Sequence, residues 1–303
     1  GEHMQRVALF GLIALLVLTG SQVVAQDYDA VEITSVEVAE GIWMLEGAGG
    51  NLGVMIGEDG TFLIDDQYAP LSEKILAAIT GLGGEAPRFV LNTHYHGDHT
   101  GGNENMGEVG ALIVAHDNVR ARMQIENPSE VFGLTFPPSP EAALPVLTFS
   151  ETTTFHINGD EVHVFHVRDA HTDGDALIWF KRADVLHTGD IVFNGIYPYI
   201  DEGSGTIAGL VAACGDILAI IDGDTAIIPG HGPLANRDDV IAYRNFLQSV
   251  HDVIMPMVRD GMTTDEIVDA NPLQPWDETW GQGFLDTEAF TRVAVTAIRN
   301  ELE

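Results

Sequence analysis

Basic residues are scarce in this chain: 13 Lys and Arg stand against 46 Asp and Glu over 303 residues, a formal charge of −33. With no basic stripe to neutralise phosphates, the sequence argues against a nucleic acid or any other polyanion as partner. The acid excess reads as a solvated surface suited to salty surroundings, where counterions screen its self-repulsion. Cysteine is almost absent. Cys214 stands alone, so no intrachain disulfide can form, and its place in the apolar helical pattern Ile207 to Ile221 reads as core. The sequence holds no long linker, no charge block and no low-complexity segment. The apolar run Val7 to Leu18 is shorter than the roughly 20 residues a spanning helix needs.

That run belongs instead to a leader. Gly1-Glu2-His3-Met4 reads as a cloning scar, residues 5–25 as a secretory signal peptide with Arg6 ahead of the apolar stretch, and Val23-Val24-Ala25 as the small-residue cleavage site before Gln26. No Cys follows to accept a lipid. The mature protein is therefore expected in the periplasm or secreted, with no stable membrane insertion after cleavage.

From Val31 the chain alternates as β-structure. Val31 to Val38 and Ile42 to Leu45 read as strands, Gly47 to Gly50 and Gly57 to Gly60 as turns, and Thr61 to Ile64 as a strand running into Asp65-Asp66. Leu71 to Leu82 has helical spacing, Phe89 to Asn92 and Ala111 to Ala115 are apolar strands, and Asp117 is expected to cap a helix carrying Val119 and Met123. Residues 127–145 hold five prolines. They are expected to form a loop that cannot pair as a strand, and its Phe132, Leu134 and Phe136 make it a candidate wall of a substrate cleft. Strands follow at Thr153 to Ile157, Val162 to Val167, Ala176 to Phe180, Asp184 to His187 and Thr225 to Ile228, with Asn158-Gly159 as a hairpin turn. Ile207 to Ile221, Asn236 to Asp260 and Asp286 to Asn300 read as helices, Pro256 bending or ending the second, and Thr263 to Glu266 as a capping box. Strands and helices arriving mixed predict an α/β domain of layered αββα type.

The chemistry is concentrated in Asn92 to Asn103, where His94, His96, Asp98 and His99 stand within six residues directly after an apolar strand. Imidazole and carboxylate are the donors zinc takes outside thiolate sites, and the following glycines allow close approach. Further along come His171 in Ala170 to Asp175, His187-Thr188-Gly189-Asp190, and His231 in Pro229 to Pro233.

In this His-x-His-x-Asp-His pattern and the order of the later motifs, the chain resembles the metallo-β-lactamase superfamily. The resemblance implies the four-layer αββα sandwich as a single domain over 31–303, and two zinc ions per chain. His94, His96 and His171 would hold one, Asp98, His99 and His231 the other, and Asp190 would bridge them. Asp65 would support the metal site from the end of its strand, while Asp66 is open between that role and a solvated strand end. It also implies a hydrolase of small molecules in which metal-bound hydroxide opens a cyclic amide, with Asp98 as the catalytic carboxylate that orients water and passes a proton on. The expectation is an exported, promiscuous β-lactamase. A lactone or thioester hydrolase is the alternative, because a bridging Asp190 stands where the commonest lactamase subgroup has Cys, and a metal-binding module without catalysis is the third reading. That subgroup's cationic partner for the β-lactam carboxylate is replaced here by Phe193, which leaves Asn194, Tyr197 and Tyr199 as the nearest polar candidates for substrate contact. His116, His156, His163, His166, His187 and His251 fall outside the motif and are expected to bind no catalytic metal. The oligomeric state is not legible in the sequence.

Overall fold

The inner strands are near-continuous apolar runs, Thr61 to Ile64, Leu112 to Ala115 and Ala176 to Phe180 among them, so each sheet must be covered on both faces, and amphipathic helices are available to cover the outer ones. The computed structural model describes residues 27–303. The scar and the leader lie outside the described residues, and among those residues no helix is long and apolar enough to cross a membrane.

The first sheet contains β1 (Thr34–Ala39), β2 (Ile42–Glu46), β3 (Leu52–Gly57), β4 (Gly60–Ile64), β5 (Pro87–Leu91), β6 (Leu112–His116) and, beyond the small ribbon of β7 (Asn127–Ser129) and β8 (Leu134–Phe136), β9 (Leu147–Phe149). Its spatial order is β1-β2-β3-β4-β5-β6-β9, antiparallel to β4 and parallel from there on. The second sheet runs β10 (Thr152–Ile157), β11 (Asp160–His166), β12 (Ala176–Phe180), β13 (Val185–Phe193), β14 (Ala226–His231), with only the last pair parallel. Ile42, Phe62, Ile64 and Leu91 of the first sheet meet Val162, Ile178, Phe180 and Ile228 of the second in one dry core. Outside the first sheet, α1 (Ser72–Gly81) lays Ile75 and Ile79 on Val54 and Leu63. The short α2 (Gly97–Thr100) and α3 (Asn103–Glu108) follow β5, and α4 (Asp117–Met123) follows β6. The outer face of the second sheet is covered by α5 (Ile207–Ile220), α6 (Arg237–Arg259) and, after α7 (Thr264–Ala270) and α8 (Asp277–Trp280), α9 (Thr287–Asn300). The layers are therefore α-β-β-α, as expected.

Four details differ from the sequence reading. Asp117 is the first residue of α4 rather than its cap; His116 caps it, its ring nitrogen accepting from Asn118 N–H at 3.1 Å. The proline-rich stretch does pair: Pro128 sits opposite Thr135 in the β7-β8 ribbon. A two-stranded ribbon has two free edges, so the missing N–H of a proline can face outward without breaking a ladder. α6 runs through Pro256 to Arg259, since so close to its end a proline removes one hydrogen bond rather than a ladder of them. β13 continues past His187 to Phe193, with register shifts on either side of Gly189, whose φ is +49°. Irregular pairing of this kind re-aims the next side chain, which is Asp190.

Candidate metal centre

Two strand ends and the irregular middle of β13 converge on one point. β5 delivers the segment His94 to His99, β13 delivers Asp190, and β14 delivers His231, while the turn after β11 brings in His171. One donor group is His94, His96, His171 and Asp190, the second Asp98, His99 and His231, the donor atoms of each lying within 4.8 Å of one another.

The donor geometry can be tested against a cation. His96 Nδ1 lies 3.1 Å from His94 Nε2 and 2.9 Å from His171 Nε2, and Asp190 Oδ2 is 3.8 and 3.5 Å from those two Nε2 atoms. In the second group, His231 Nε2 and His99 Nε2 stand 3.3 and 3.6 Å from Asp98 Oδ2. Tetrahedral bonds of 2.0–2.1 Å put neighbouring donor atoms roughly 3.3 Å apart, so both groups have the spacing of a coordination shell. Asp190 touches both, its Oδ1 3.0 Å from His99 Nε2 and its Oδ2 3.4 Å from His231 Nε2. Yet the buried His99 Nε2 and Asp190 Oδ1 make no hydrogen bond despite that approach. Two orphaned buried atoms facing one point are what a cation would satisfy. Glycine keeps the point open: a Cβ on Gly230 would collide with Asp190 Oδ1, and one on Gly50 with the ring of His99.

Each imidazole is aimed from behind. Asp65 is fully buried and accepts from the main-chain N–H of Thr93 at 2.7 Å and from its hydroxyl at 2.8 Å, while its Oδ2 lies 2.7 Å from His99 Nδ1. Those bonds offset its left-handed backbone, φ +59°. Thr93 Oγ1 is 3.0 Å from His94 Nδ1, and the Tyr199 carbonyl is 3.0 Å from His171 Nδ1. His96 is oriented by Asp201, whose Oδ1 lies 3.3 Å from its Nε2 and accepts from Tyr95 O–H at 2.5 Å. His231 is held differently, by the ring of Phe193 stacked on it at 4.9 Å. Asp66 is buried and accepts from Gly102 N–H at 2.9 Å, so it closes the turn behind the ligand loop and is not a solvated strand end.

Charge follows from this packing. Burial lowers His94, and lowers His171 to about 3, so both are neutral lone-pair donors at neutral pH. Burial also works against charge on His99 and His231, but the nearby carboxylates, Asp190 foremost, override it and raise His99 well above its ordinary value and His231 to about 9. Burial alone would raise Asp98 and Asp190; the imidazolium of His99, then that of His231, holds both below the usual carboxylate range.

Beside the centre opens a cavity of about 390 Å³, onto which Asp98, Asp190, His96 and His231 face. Tyr199 lines it. Of the other residues expected to meet substrate, Phe193 is fully buried behind His231, Tyr197 is fully buried and stacked on Phe290 at 4.4 Å, and Asn194 turns its amide onto the Pro233 carbonyl at 3.0 Å. None of these three lines the cavity: β13 runs on to Phe193, which pairs with His231 at the end of β14. None of His116, His156, His163, His166, His187 and His251 joins a donor group; His116 and His166 stack on each other at 3.7 Å, and His187 Nε2 lies 3.2 Å from the Asn51 carbonyl. Sequence reasoning did not find Asp201 or Asp175, which accepts from the N–H groups of His171 and Thr172 at 2.7 and 2.8 Å. Asp175 carried a signal, an acid four residues after a motif His. Asp201 carried none, since it reaches His96 from a loop 105 residues downstream.

The family model for the metallo-beta-lactamase superfamily matches residues 46–237, a span that holds every donor named above. The chain is similar to a hydroxyacylglutathione hydrolase of Polaromonas sp. (strain JS666), 28% identical over 189 residues that cover 62% of this chain and 64% of that protein. It is also similar to hydroxyacylglutathione hydrolase GloC of Haemophilus influenzae, 28% identical over 173 residues, 52% of this chain and 80% of that one. The matched part thus spans less than two thirds of the Polaromonas protein. Among solved structures, DIM-1 metallo-beta-lactamase and a metallo-beta-lactamase from Pontibacter korlensis each superpose with a TM-score of 0.60 at 18% identity, covering 72% of this chain and 99% of theirs. At that identity the likeness is one of fold.

Proposed function

Because the chain belongs to the metallo-beta-lactamase superfamily, we propose that it is an exported binuclear zinc hydrolase that opens a carbonyl–heteroatom bond in a small-molecule substrate. The observation that carries this reading is the pair of donor groups sharing one carboxylate, Asp190, with unsatisfied donor atoms turned inward. Two divalent cations there would polarise a substrate carbonyl and acidify water at the site. The chain's own groups do the rest. Asp98 lines the cavity with its side chain 17% exposed, so it can orient the attacking water and return a proton to the leaving atom. Asp65 and Asp201 fix the rings of His99 and His96, so that the opposite nitrogen of each faces the centre. The Phe193 ring behind His231 keeps water from the buried side.

An ester or thioester is the better supported bond. The bridging position is Asp190 rather than a thiolate, no Lys or Arg lines the cavity to meet a β-lactam carboxylate, and the curated relatives are named hydroxyacylglutathione hydrolases. β-Lactam ring opening is the second reading, favoured by the leader expected over residues 5–25, which suits an envelope enzyme.

Two measurements test the proposal. Zinc content should reach two ions per chain and fall in Asp190→Asn, which keeps the size of the bridge and removes its charge. Turnover of an acyl-homoserine lactone should exceed that of a chromogenic β-lactam. One ion at saturation would sink the binuclear reading, and a zinc-loaded protein inert to lactone, thioester and β-lactam alike would leave only a metal-binding module.

A further inference from the structure

The cavity beside the centre has an unusual wall. Its apolar lining includes Met123, Phe132, Leu134, Phe136 and Pro137, with Phe284 beside the donor His231 at 5.9 Å, and no Lys or Arg is among its lining residues. The nearest cation in sequence, Arg122, does not line the cavity and is held by Asp173, its Nη2 donating to Oδ2 at 2.8 Å and its Nε at 3.1 Å. The fixed charges beyond the donors are negative, Glu104 and Asp201. Leu134 and Phe136 remain 38% and 43% exposed at the mouth, an apolar surface left uncovered in an otherwise acidic protein.

The ribbon that carries these side chains is held in place. Glu202 accepts from the N–H groups of Glu130 and Val131 at 3.1 and 3.2 Å, and from the hydroxyls of Ser129 and Tyr199 at 2.5 and 3.2 Å. Phe132 packs on Tyr199 with ring centroids 4.9 Å apart. The wall is thus preformed, continuous with the donor groups, and of ordinary ligand-pocket size at about 390 Å³.

Resting on the hydrolase reading above, we infer that this cavity binds the acyl group of the substrate, and that the natural substrate class is an ester or lactone with an uncharged, apolar acyl chain. An anionic acyl group gains nothing here: its carboxylate would lose water to meet aromatic rings and no cation. The reaction adds water across the acyl C–O bond, giving the carboxylic acid and the alcohol from an ester, or the ring-opened hydroxy acid from a lactone.

The test uses the zinc-loaded protein with p-nitrophenyl acetate, butyrate, hexanoate and octanoate, and with p-nitrophenyl hydrogen suberate, which matches octanoate in length but ends in a carboxylate. kcat/KM should rise about fourfold per added methylene, the worth of one buried CH₂, and the suberate should be poorer than octanoate by about tenfold or more. Leu134→Asp should collapse the octanoate-to-acetate ratio, whereas Leu112→Asp, at an exposed position that does not line the cavity, should preserve it. A flat series with metal-dependent acetate turnover, or suberate equal to octanoate, overturns the acyl site and leaves the hydrolase reading standing. If no ester is turned over, calorimetry with octanamide decides: binding with a negative heat-capacity change, absent for acetamide, upholds the apolar site without the hydrolase, and no binding overturns both.

Discussion

His99 and His231 must shed protons before they can bind a cation. The carboxylates around them raise both, His231 to about 9, so at neutral pH the metal-free centre holds two imidazolium–carboxylate pairs, while His94 and His171 are already neutral. A raised pKa means that the proton competes with metal at neutral pH and stops competing as the pH climbs past that value. Zinc uptake near pH 7 should therefore release about two protons per chain, and apparent affinity should tighten as the pH rises toward about 9. A pH-stat titration with zinc reads this directly; uptake without acid release would show that the pairs are neutral. The donors themselves were legible because consecutive ligands on one loop leave a spacing. Asp201 was not, because a group that orients a ring from a distant loop leaves no local pattern, and the burial of Phe193 and Tyr197 was not, because the sequence did not show that β13 runs on past His187.

At the scale of elements, the β7-β8 ribbon is the least self-sufficient part of the fold. Its two three-residue strands are too short to be stable alone, and the Glu202 carboxylate gathers four donors from it and from Tyr199. Glu202→Ala leaves the Glu130 and Val131 N–H groups without that acceptor. Amide exchange over residues 129–136 should then accelerate by about tenfold or more, each lost bond to a charged group being worth about 1.5–3 kcal/mol. Melting of the rest of the molecule should move little. Exchange as slow as in the parent would mean that the Phe132–Tyr199 contact alone fixes the ribbon. Helices with a clear apolar stripe, such as α6 and α9, were read to within a residue, whereas β1 starts three residues after the expected Val31 and β11 two residues before the expected Val162. The ribbon escaped because proline argues against strands in general, and only the three-dimensional edge reveals where it is tolerated.

The whole molecule brings two αβ halves together at the centre: His94, His96, Asp98 and His99 come from the first-sheet side, His171, Asp190 and His231 from the second. Cations there would tie the halves, which otherwise meet through the dry core between the sheets. Against that cohesion stands the charge of −33, spread over a surface with few cations to pair it. Self-repulsion of this size disfavours the compact state and is relieved by counterions, with the screening length falling from about 10 Å at 0.1 M salt to about 3 Å at 1 M. The unfolded chain carries the same charges farther apart, so screening helps the folded state more. Melting of the zinc-loaded protein should rise by about 5 °C between about 0.05 and 1 M sodium chloride. Potassium chloride should trace the same curve, since the effect depends on ionic strength and not on a specific ion. A melting temperature that is flat or falls with salt would mean that the acidic side chains sit too far apart to repel, and that the excess of acid serves hydration alone.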